Sequence, residues 1–422
     1  MSDPKQSIHH LQRATLAVIL AGGRGTRLRQ LTAHRSKPAV PFGGKFRIID
    51  FALSNCVNSG IRSVSILTQY KSHSLMRHVL QGWSVYRPQF GEFIEMIPAQ
   101  QRVDENWYMG TADAVFQNLD IIRGHQPEYL LILAGDHVYK MDYSLMMAHH
   151  VDLDADITVG SFEIPACNAS EFGVMQLGEN YRINRFVEKP ADPSPFADAN
   201  GMVSISMGIY FCRTDFLAPL LERDAVNDTS SHDFGKDILP SLINDHNVVS
   251  CPLGLMGGTG QRYWRDIGTI DAYYKSNMDL TGVTPELNLY DPDWPILTFQ
   301  EQYPPAKFVF DDDDRRGMAV DSLVAGGCII SGGKVERSLL STNVRINSYS
   351  HVEDSVILPN VVVGRHCRIR HAIIDKDCHI PEGMVIGHDP AGDRQRFEVS
   401  PEGVVVVTEG MLRSLPEPEP LK

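Results

Sequence analysis

The feature that most restricts the fold lies in the last hundred residues, where aliphatic side chains recur every six positions. Leu340, Ile346, Val352 and Leu358 form one register. Val356, Val362, Arg368, Ile374, Ile380 and Ile386 form a second, and five of those six are aliphatic. A helix repeats at about 3.6 residues and a strand at about 2, so neither sustains this spacing. A hexapeptide period marks a parallel β-helix, in which short stacked strands share one apolar column. The stretch supplies roughly four turns. A stack that short needs a further surface to rest on, so an oligomer is expected.

Upstream the pattern changes. Aliphatic runs occur at LAVIL (16–20), SVSILT (63–68), EYLLILAG (128–135), ADITVGSF (155–162) and ISMGIYF (205–211), with helical patterns between several of them. Strand–helix–strand alternation predicts an α/β, doubly wound, mixed and mainly parallel sheet, with its ligand crevice beyond the carboxyl ends of the strands. The expected organisation is a polar tail (1–15), an α/β domain (16–290), a linker (291–317) and the β-helix domain (318–422). The linker is proline-rich and ends in four aspartates at 311–314, which read as a solvated charge run, because adjacent carboxylates repel and point in different directions.

Composition excludes several functions. A net charge of −13 disfavours a general nucleic-acid or membrane-surface role. No apolar run approaches membrane-spanning length and no signal-peptide pattern is present, so a cytoplasmic protein is expected. Seven cysteines are scattered without a C-x-x-C pair, which fits reduced thiols and gives no zinc signal.

The first strand runs into LAGGRGTRL at 20–28. This is not a P-loop, since no G-K-[ST] follows, nor a dinucleotide fingerprint, since Leu28 stands where a third glycine belongs. Arg24 and Arg27 lie inside the loop and Lys37 follows it. Glycines admit phosphate oxygens to backbone N–H groups, and the cations neutralise them. The loop therefore reads as a polyphosphate cradle for a nucleotide, expected to be a triphosphate.

LAGGRGTRL followed by RSKPAVPFGGKFRIIDFALSN resembles the N-terminal signature of the sugar-phosphate nucleotidylyltransferases. From Leu16 to about residue 412 the chain resembles the bacterial glucose-1-phosphate adenylyltransferases, through NWYMGTADAVFQNLDII, LILAGDHVYKMDY, EFGVMQL, FVEKPAD, SMGIY, SSHDFGKDILP and YWRDIGTIDAYY, in that order. The resemblance implies a Rossmann-like catalytic domain joined to a left-handed β-helix, usually in a homotetramer. It implies synthesis of ADP-glucose and pyrophosphate from ATP and glucose 1-phosphate, for glycogen formation.

It also implies roles for residues. Arg27, Lys37 and Asp136 would be catalytic, and Asp136 with Asp266 would hold Mg²⁺. Leu20, Ala21, Gly22, Gly23, Gly25, Thr26, Gln101, Gly110 and Thr111 would bind ATP. Tyr108, Gly173, Glu188, Lys189 and Ser206 would bind glucose 1-phosphate. Gln69 and Trp107 would relay effector binding to the active site. Taken singly, Asp136 could be a turn aspartate, Glu188 and Lys189 a solvated pair, and Trp107 and Tyr108 core aromatics. Pro190 is expected to keep Lys189 extended. Arg35, Arg47 and Lys376 match or keep the charge of a metabolite effector site. His34, Pro41 and Gly124 depart from that pattern, and the tail DRQRFEVS has few arginines, so bisphosphate activation is expected to be weak.

Three alternatives remain at this stage. One is a hexapeptide-repeat acyltransferase, for which His351, His366, His371 and His379 would be the candidates, although they read as rim residues. A second is a non-catalytic nucleotide-sugar sensor. The third is a nucleotidylyltransferase using UTP or GTP, since phosphate-loop chemistry does not read the base.

Overall fold

The computed structural model describes residues 7–23, 25–84, 86–99, 107–254, 262–312 and 314–415. The chain divides into two compact units. The first comprises Met1–Gly23, Ile49–Trp264 and Tyr290–Leu297; the second comprises Arg24–Ile48, Arg265–Leu289 and Thr298–Lys422.

The first unit is built on a nine-stranded sheet. Its strands are β1 (Thr15–Ala21), β2 (Ser63–Thr68), β3 (Phe93–Pro98), β4 (Tyr129–Ala134), β5 (Ile157–Pro165), β6 (Gly173–Leu177), β7 (Ile183–Glu188), β8 (Met202–Arg213) and β9 (Val248–Pro252). The order β7-β6-β8-β4-β1-β2-β3 is parallel from β4 to β3 and antiparallel where β8 joins β4 and β6. β5 pairs with β8 on one side and with β9 on the other. The central strands are nearly continuous in aliphatic residues because helices cover both faces. Leu16, Ala17, Val18 and Ile19 on β1, and 130–133 on β4, are all buried, each large side chain worth about 1.5–3 kcal/mol on removal from water.

Residues 290–297, most of which fall in the stretch 291–317 expected as linker, are docked within the first unit. Trp294 Nε1 donates to Asn55 Oδ1 (2.9 Å), Leu297 N to Ser54 Oγ (2.8 Å) and Asn58 Nδ2 to the Pro295 carbonyl (3.0 Å). Buried Lys140 pairs with Asp291 at 3.2 Å. A segment without helix or strand must still satisfy its buried polar groups, and here the side chains of the helix Ile49–Asn58 do so.

In the second unit, three parallel sheets form a three-sided β-helix, consistent with the left-handed hexapeptide form. Its core is three ladders of fully or nearly fully buried side chains. One is Ile330, Ile346, Val363 and Ile380; the next is Val335, Val352, Ile369 and Ile386; the third is Leu340, Ile357, Ile374 and Val407. From Leu340 onward successive positions step by six, six and five residues, so equivalent residues such as Asn343 and Asn360 lie 17 apart, whereas the coil before it steps from Ile330 to Val335 to Leu340 by five. The strict sixfold register therefore needs correcting. Ile357, not Leu358, continues the Leu340 ladder, and Arg368 faces outward. In the coils from Leu340 onward, one corner is a residue shorter than the other two.

The corners use left-handed backbone. Asn343, Asn360 and Asp377 have φ of 60°, 64° and 63°, and Arg337, Asp354 and His371 have 41°, 44° and 48°. Two of the sheets hold five strands each, against the four turns expected. The extra level begins at Lys307–Val309, inside the 291–317 stretch. Within the aspartate run, Asp311–Asp312 pairs with Arg315–Arg316 as a small hairpin, and Arg316 meets Asp311 at 2.5 Å. Of the seven cysteines, all unpaired, six are buried, as befits small apolar side chains. No helix among the described residues is long and apolar enough to cross a membrane.

Candidate active site

In the first unit the parallel strands β1 and β4 end side by side, and the Gly135 N–H donates to the Leu20 carbonyl (3.0 Å). This places residues 20–23 and Asp136 on one sheet edge, where ligands of such sheets bind. A side chain on Gly135 would meet the Leu20 carbonyl at 3.0 Å, so the glycine is what lets the two strand ends close up.

Strand β8 runs antiparallel past that edge. Its pairing with β4 begins at Ile209↔Leu133, and its pairing with β5 slips between Ser206 and Tyr210. Gly208, at φ +66°, lies in the irregularity, and such bulges re-aim neighbouring side chains. Beyond it Ile205 pairs with Val174, and Gly173 pairs with Glu188. Ser206, Gly173 and Glu188 thus line up across β8, β6 and β7, just past the carboxyl end of β4. The register brings together residues widely separated in sequence.

The Glu188 carboxylate is half-buried between two glycines. A Cβ on Gly173 would lie 2.6 Å from Glu188 Oε2, and one on Gly235 would lie 2.5 Å from it. Burial pushes the Glu188 carboxyl above its ordinary value, while the Lys189 ammonium pulls it down and Asp233 raises it further. Lys189 Nζ lies 3.7 Å from Glu188 Oε1 and is half exposed. The expectation that Pro190 keeps Lys189 extended is not met. Lys189 has φ +48°, a strained region for lysine, held by its N–H donating to the Phe172 carbonyl (3.0 Å). The proline restricts the ordinary helical region, but the turn after β7 demands the left-handed one.

Gln69 follows β2 and bridges two expected ligand segments. With its amide oriented to satisfy both neighbours, it donates to the Gly22 carbonyl (3.2 Å) and accepts from the Tyr108 N–H (3.0 Å). Trp107 is exposed, whereas Tyr108 packs against the core and its hydroxyl accepts from Asn118 (2.9 Å). Gly23 faces open space, so a ligand can approach its backbone.

Gly110 has a packing reason of its own: a Cβ there would meet the His232 carbonyl at 2.1 Å. The Ala112 and Asp113 N–H groups of the helix Thr111–Phe116 already donate to that carbonyl (2.9 and 3.2 Å). Thr111 Oγ1 donates to Asp233 Oδ2 and accepts from the Phe234 N–H, both at 3.0 Å. Asp233 in turn caps the one-turn π-helix Phe234–Ile238. The SSHDFGKD block carries no role among the sequence expectations. An aspartate after a serine pair and before F-G-K is a cap signal that could have marked it.

In the second unit, Gly25 has φ +59°, and a Cβ there would lie 3.1 Å from side-chain carbons of Lys37 and Thr32. Lys37 is buried, with Nζ 2.6 Å from Asp266 Oδ1. The half-exposed Arg27 guanidinium lies 3.8 Å from the other oxygen of Asp266. Asp266, expected as a metal ligand, is therefore also the counter-ion of the two expected catalytic cations. Arg24, Gln101 and the Thr26 side chain lie outside the described residues.

The expected effector cations also belong to this unit. Arg35 is buried, donates through Nε to the Leu31 carbonyl (2.7 Å) and pairs closely with Asp375. Lys376 is exposed and pairs with Asp377 (2.9 Å). Arg47 lies on the short strand Phe46–Arg47, opposite Pro41. Arg29 and Arg396 border an open cleft of about 510 Å³, where Glu398 already neutralises Arg29 at 2.8 Å. The four repeat-region histidines lie at the rim: His351 pairs with Glu336 (2.7 Å), and His366 stacks on Tyr349 with ring centres 4.8 Å apart.

The chain matches the family model for nucleotidyl transferases over residues 16–282. Residues 304–407 match the model of the GlmU-like C-terminal hexapeptide. It is 61% identical over 401 residues to the glucose-1-phosphate adenylyltransferase of Methylococcus capsulatus, covering 95% of each chain. It is 57% identical over 406 residues to that of Nitrosococcus oceani, covering 96% of each. With that of Dechloromonas aromatica it shares 58% over 409 residues, covering 96% of this chain and 93% of the relative. A likeness so even along the whole length makes this chain a member of the glucose-1-phosphate adenylyltransferase family of nucleotidyl transferases.

Proposed function

We propose that the chain joins ATP and glucose 1-phosphate into ADP-glucose with release of pyrophosphate, the glucosyl donor then serving glycogen synthesis. The observation that carries this reading is the alignment of Ser206, Gly173 and Glu188 beside the strand end that bears Asp136. A phosphate oxygen of glucose 1-phosphate attacks the α-phosphorus of ATP in line, and pyrophosphate leaves. No covalent enzyme intermediate is needed, so catalysis is positioning and charge neutralisation.

Residues 20–23 and Gly25 offer backbone N–H groups to the triphosphate, and Arg27 and Lys37 neutralise it. Lys189 holds the phosphate of glucose 1-phosphate, and Glu188 accepts from sugar hydroxyls while Tyr108 and Ser206 flank them. Asp136 and Asp266 offer the hard carboxylate oxygens that suit magnesium. That ion, when bound by them, supplies charge neutralisation at the reacting phosphates. With the metal bound, Asp266 would share its charge between the ion and Lys37, and the Lys37 ammonium would be available to a phosphate oxygen.

Metabolite effectors act through Arg35, Arg47 and Lys376, and Gln69 carries their influence between residue 22 and Tyr108. The Glu398–Arg29 pair supports weak bisphosphate activation, because a carboxylate competes with the incoming anion. The β-helix supports assembly into a homotetramer; a monomer by light scattering would contradict this. Pyrophosphate release measured across four nucleoside triphosphates and several hexose 1-phosphates tests the reaction. Turnover is expected with ATP and glucose 1-phosphate, and a preference for UTP or GTP would overturn the assignment of the base.

A further inference from the structure

The SSHDFGKD block holds a buried pair that none of these roles uses. His232 and Asp224 are both nearly buried, at 8% and 11% side-chain exposure, with His232 Nδ1 2.8 Å from Asp224 Oδ2. The other Asp224 oxygen accepts from Ser230 Oγ (2.7 Å), and Ser230 Oγ accepts from the His232 N–H (2.9 Å). The imidazole, the serine and the carboxylate thus close a small ring that anchors residue 232 to the end of the helix Thr214–Ala225.

That anchor fixes an unusual backbone. His232 has φ +55°, a conformation that costs roughly 1–2 kcal/mol for most side chains. Held this way, its carbonyl points at the helix Thr111–Phe116 and accepts two of its N–H groups. Asp233, the next residue, accepts from Thr111 and caps Gly235 (2.9 Å) and Lys236 (3.2 Å). Gly235 is the residue against which the Glu188 carboxylate lies. One continuous set of contacts therefore runs from Asp224 to His232, on to the Gly110–Thr111 turn and the π-helix, and ends at Glu188.

We propose that His232, held by Asp224, is a positioning residue for the sugar-phosphate site, setting Glu188 through the 231–237 segment. It touches no reacting atom. It fixes the wall behind Glu188, so its loss lets the carboxylate drift from the sugar hydroxyls, while the phosphate cradle at 20–23 keeps its own contacts. This inference rests on the proposed sugar-phosphate role of Glu188.

Steady-state kinetics of full-length variants test it. His232→Gly removes the imidazole yet permits the left-handed backbone, so folding strain is not the variable. It is expected to raise the apparent KM for glucose 1-phosphate roughly tenfold, with the KM for ATP changed less than about twofold. His232→Asn, which tolerates positive φ and keeps a donor for Asp224, is expected to bring that KM back to within about threefold of the parent. Asp224→Asn removes the charge but keeps the shape, and an intermediate rise is expected. A wild-type KM for glucose 1-phosphate in His232→Gly overturns the proposal. So does an equal rise in both KM values, or an Asn variant no better than the glycine one. The unsubstituted enzyme is assayed alongside: if it forms no ADP-glucose, the catalytic reading fails, whereas normal synthesis with an insensitive His232→Gly removes only the positioning role.

Discussion

In the β-helix, non-glycine residues with positive φ recur on a schedule: Asn343, Asn360 and Asp377 at one corner, Arg337, Asp354 and His371 at another. In the sheet unit, Lys189 and His232 adopt the same backbone without any repeat. The two settings differ in what holds the conformation. At the β-helix corners each residue is supported by its equivalents in neighbouring coils, as when Asn343 donates to Asn360 and Asn360 to Asp377, both at 2.9 Å. Periodicity spreads the cost over a ladder that only builds shape. At Lys189 and His232 the support is local: one carbonyl in the first case, the Asp224–Ser230 ring in the second. Other single positions, such as Gln126 and Asp154, share this backbone in turns away from the site, but Lys189 and His232 both border the proposed sugar site, where such strain can aim a side chain.

Substitutions can break or sharpen that contrast. The largest effect is expected from Asp136→Asn, which should lower kcat by roughly 100-fold or more with little change in melting temperature. The same exchange at a corner, Asp377→Asn, should leave kcat within about twofold. If both behaved alike, the division between a chemical edge and a structural coil would fail. Next comes Ile357→Ala, which removes a ladder side chain and should cost about 2–4 kcal/mol by denaturant unfolding. The KM values of the folded fraction should not move. Lys189→Ala should raise the apparent KM for glucose 1-phosphate about tenfold while kcat falls much less; unchanged saturation would remove Lys189 from the site. At the corners, Asn360→Ala should cost about 1 kcal/mol and Asn360→Gly only a few tenths, read again by unfolding.

The smallest effect concerns pH. Burial raises the Glu188 carboxyl, so it is charged above that raised value and takes a proton as pH falls through it. The proposed acceptor for sugar hydroxyls is then lost, and the KM for glucose 1-phosphate should climb by a few fold on the acid side. Glu188→Gln should flatten that limb, and a limb left intact in the variant would assign it to another group.

The periodic unit was the more legible in sequence, but only in outline. Six-residue spacing announces a three-sided coil; the 6-6-5 step that puts Ile357 in place of Leu358 depends on which corner is short, and the spacing of aliphatic residues does not reveal that. Strands of the sheet unit were readable from their aliphatic runs because both faces are covered. The site was readable as motifs and not as geometry. Nothing in EFGVM, FVEKP and SMGIY says that Gly173, Glu188 and Ser206 lie level, since antiparallel register is set by tertiary pairing. Gly110 illustrates the limit most plainly: its glycine signal pointed to a ligand, and the structure supplies the His232 carbonyl as a nearer reason. The 290–297 strap was hidden because a docked segment without helix or strand looks in sequence like a linker.

The central claim is that residues 20–23, with Gly25, Arg27 and Lys37, cradle the triphosphate of ATP. Soaking ATP with magnesium into crystals of the protein tests it most directly. The account predicts density for the phosphates against that loop, with the Arg27 guanidinium and the Lys37 ammonium at phosphate oxygens. Well-defined ATP at any other place, with the loop empty, would contradict it.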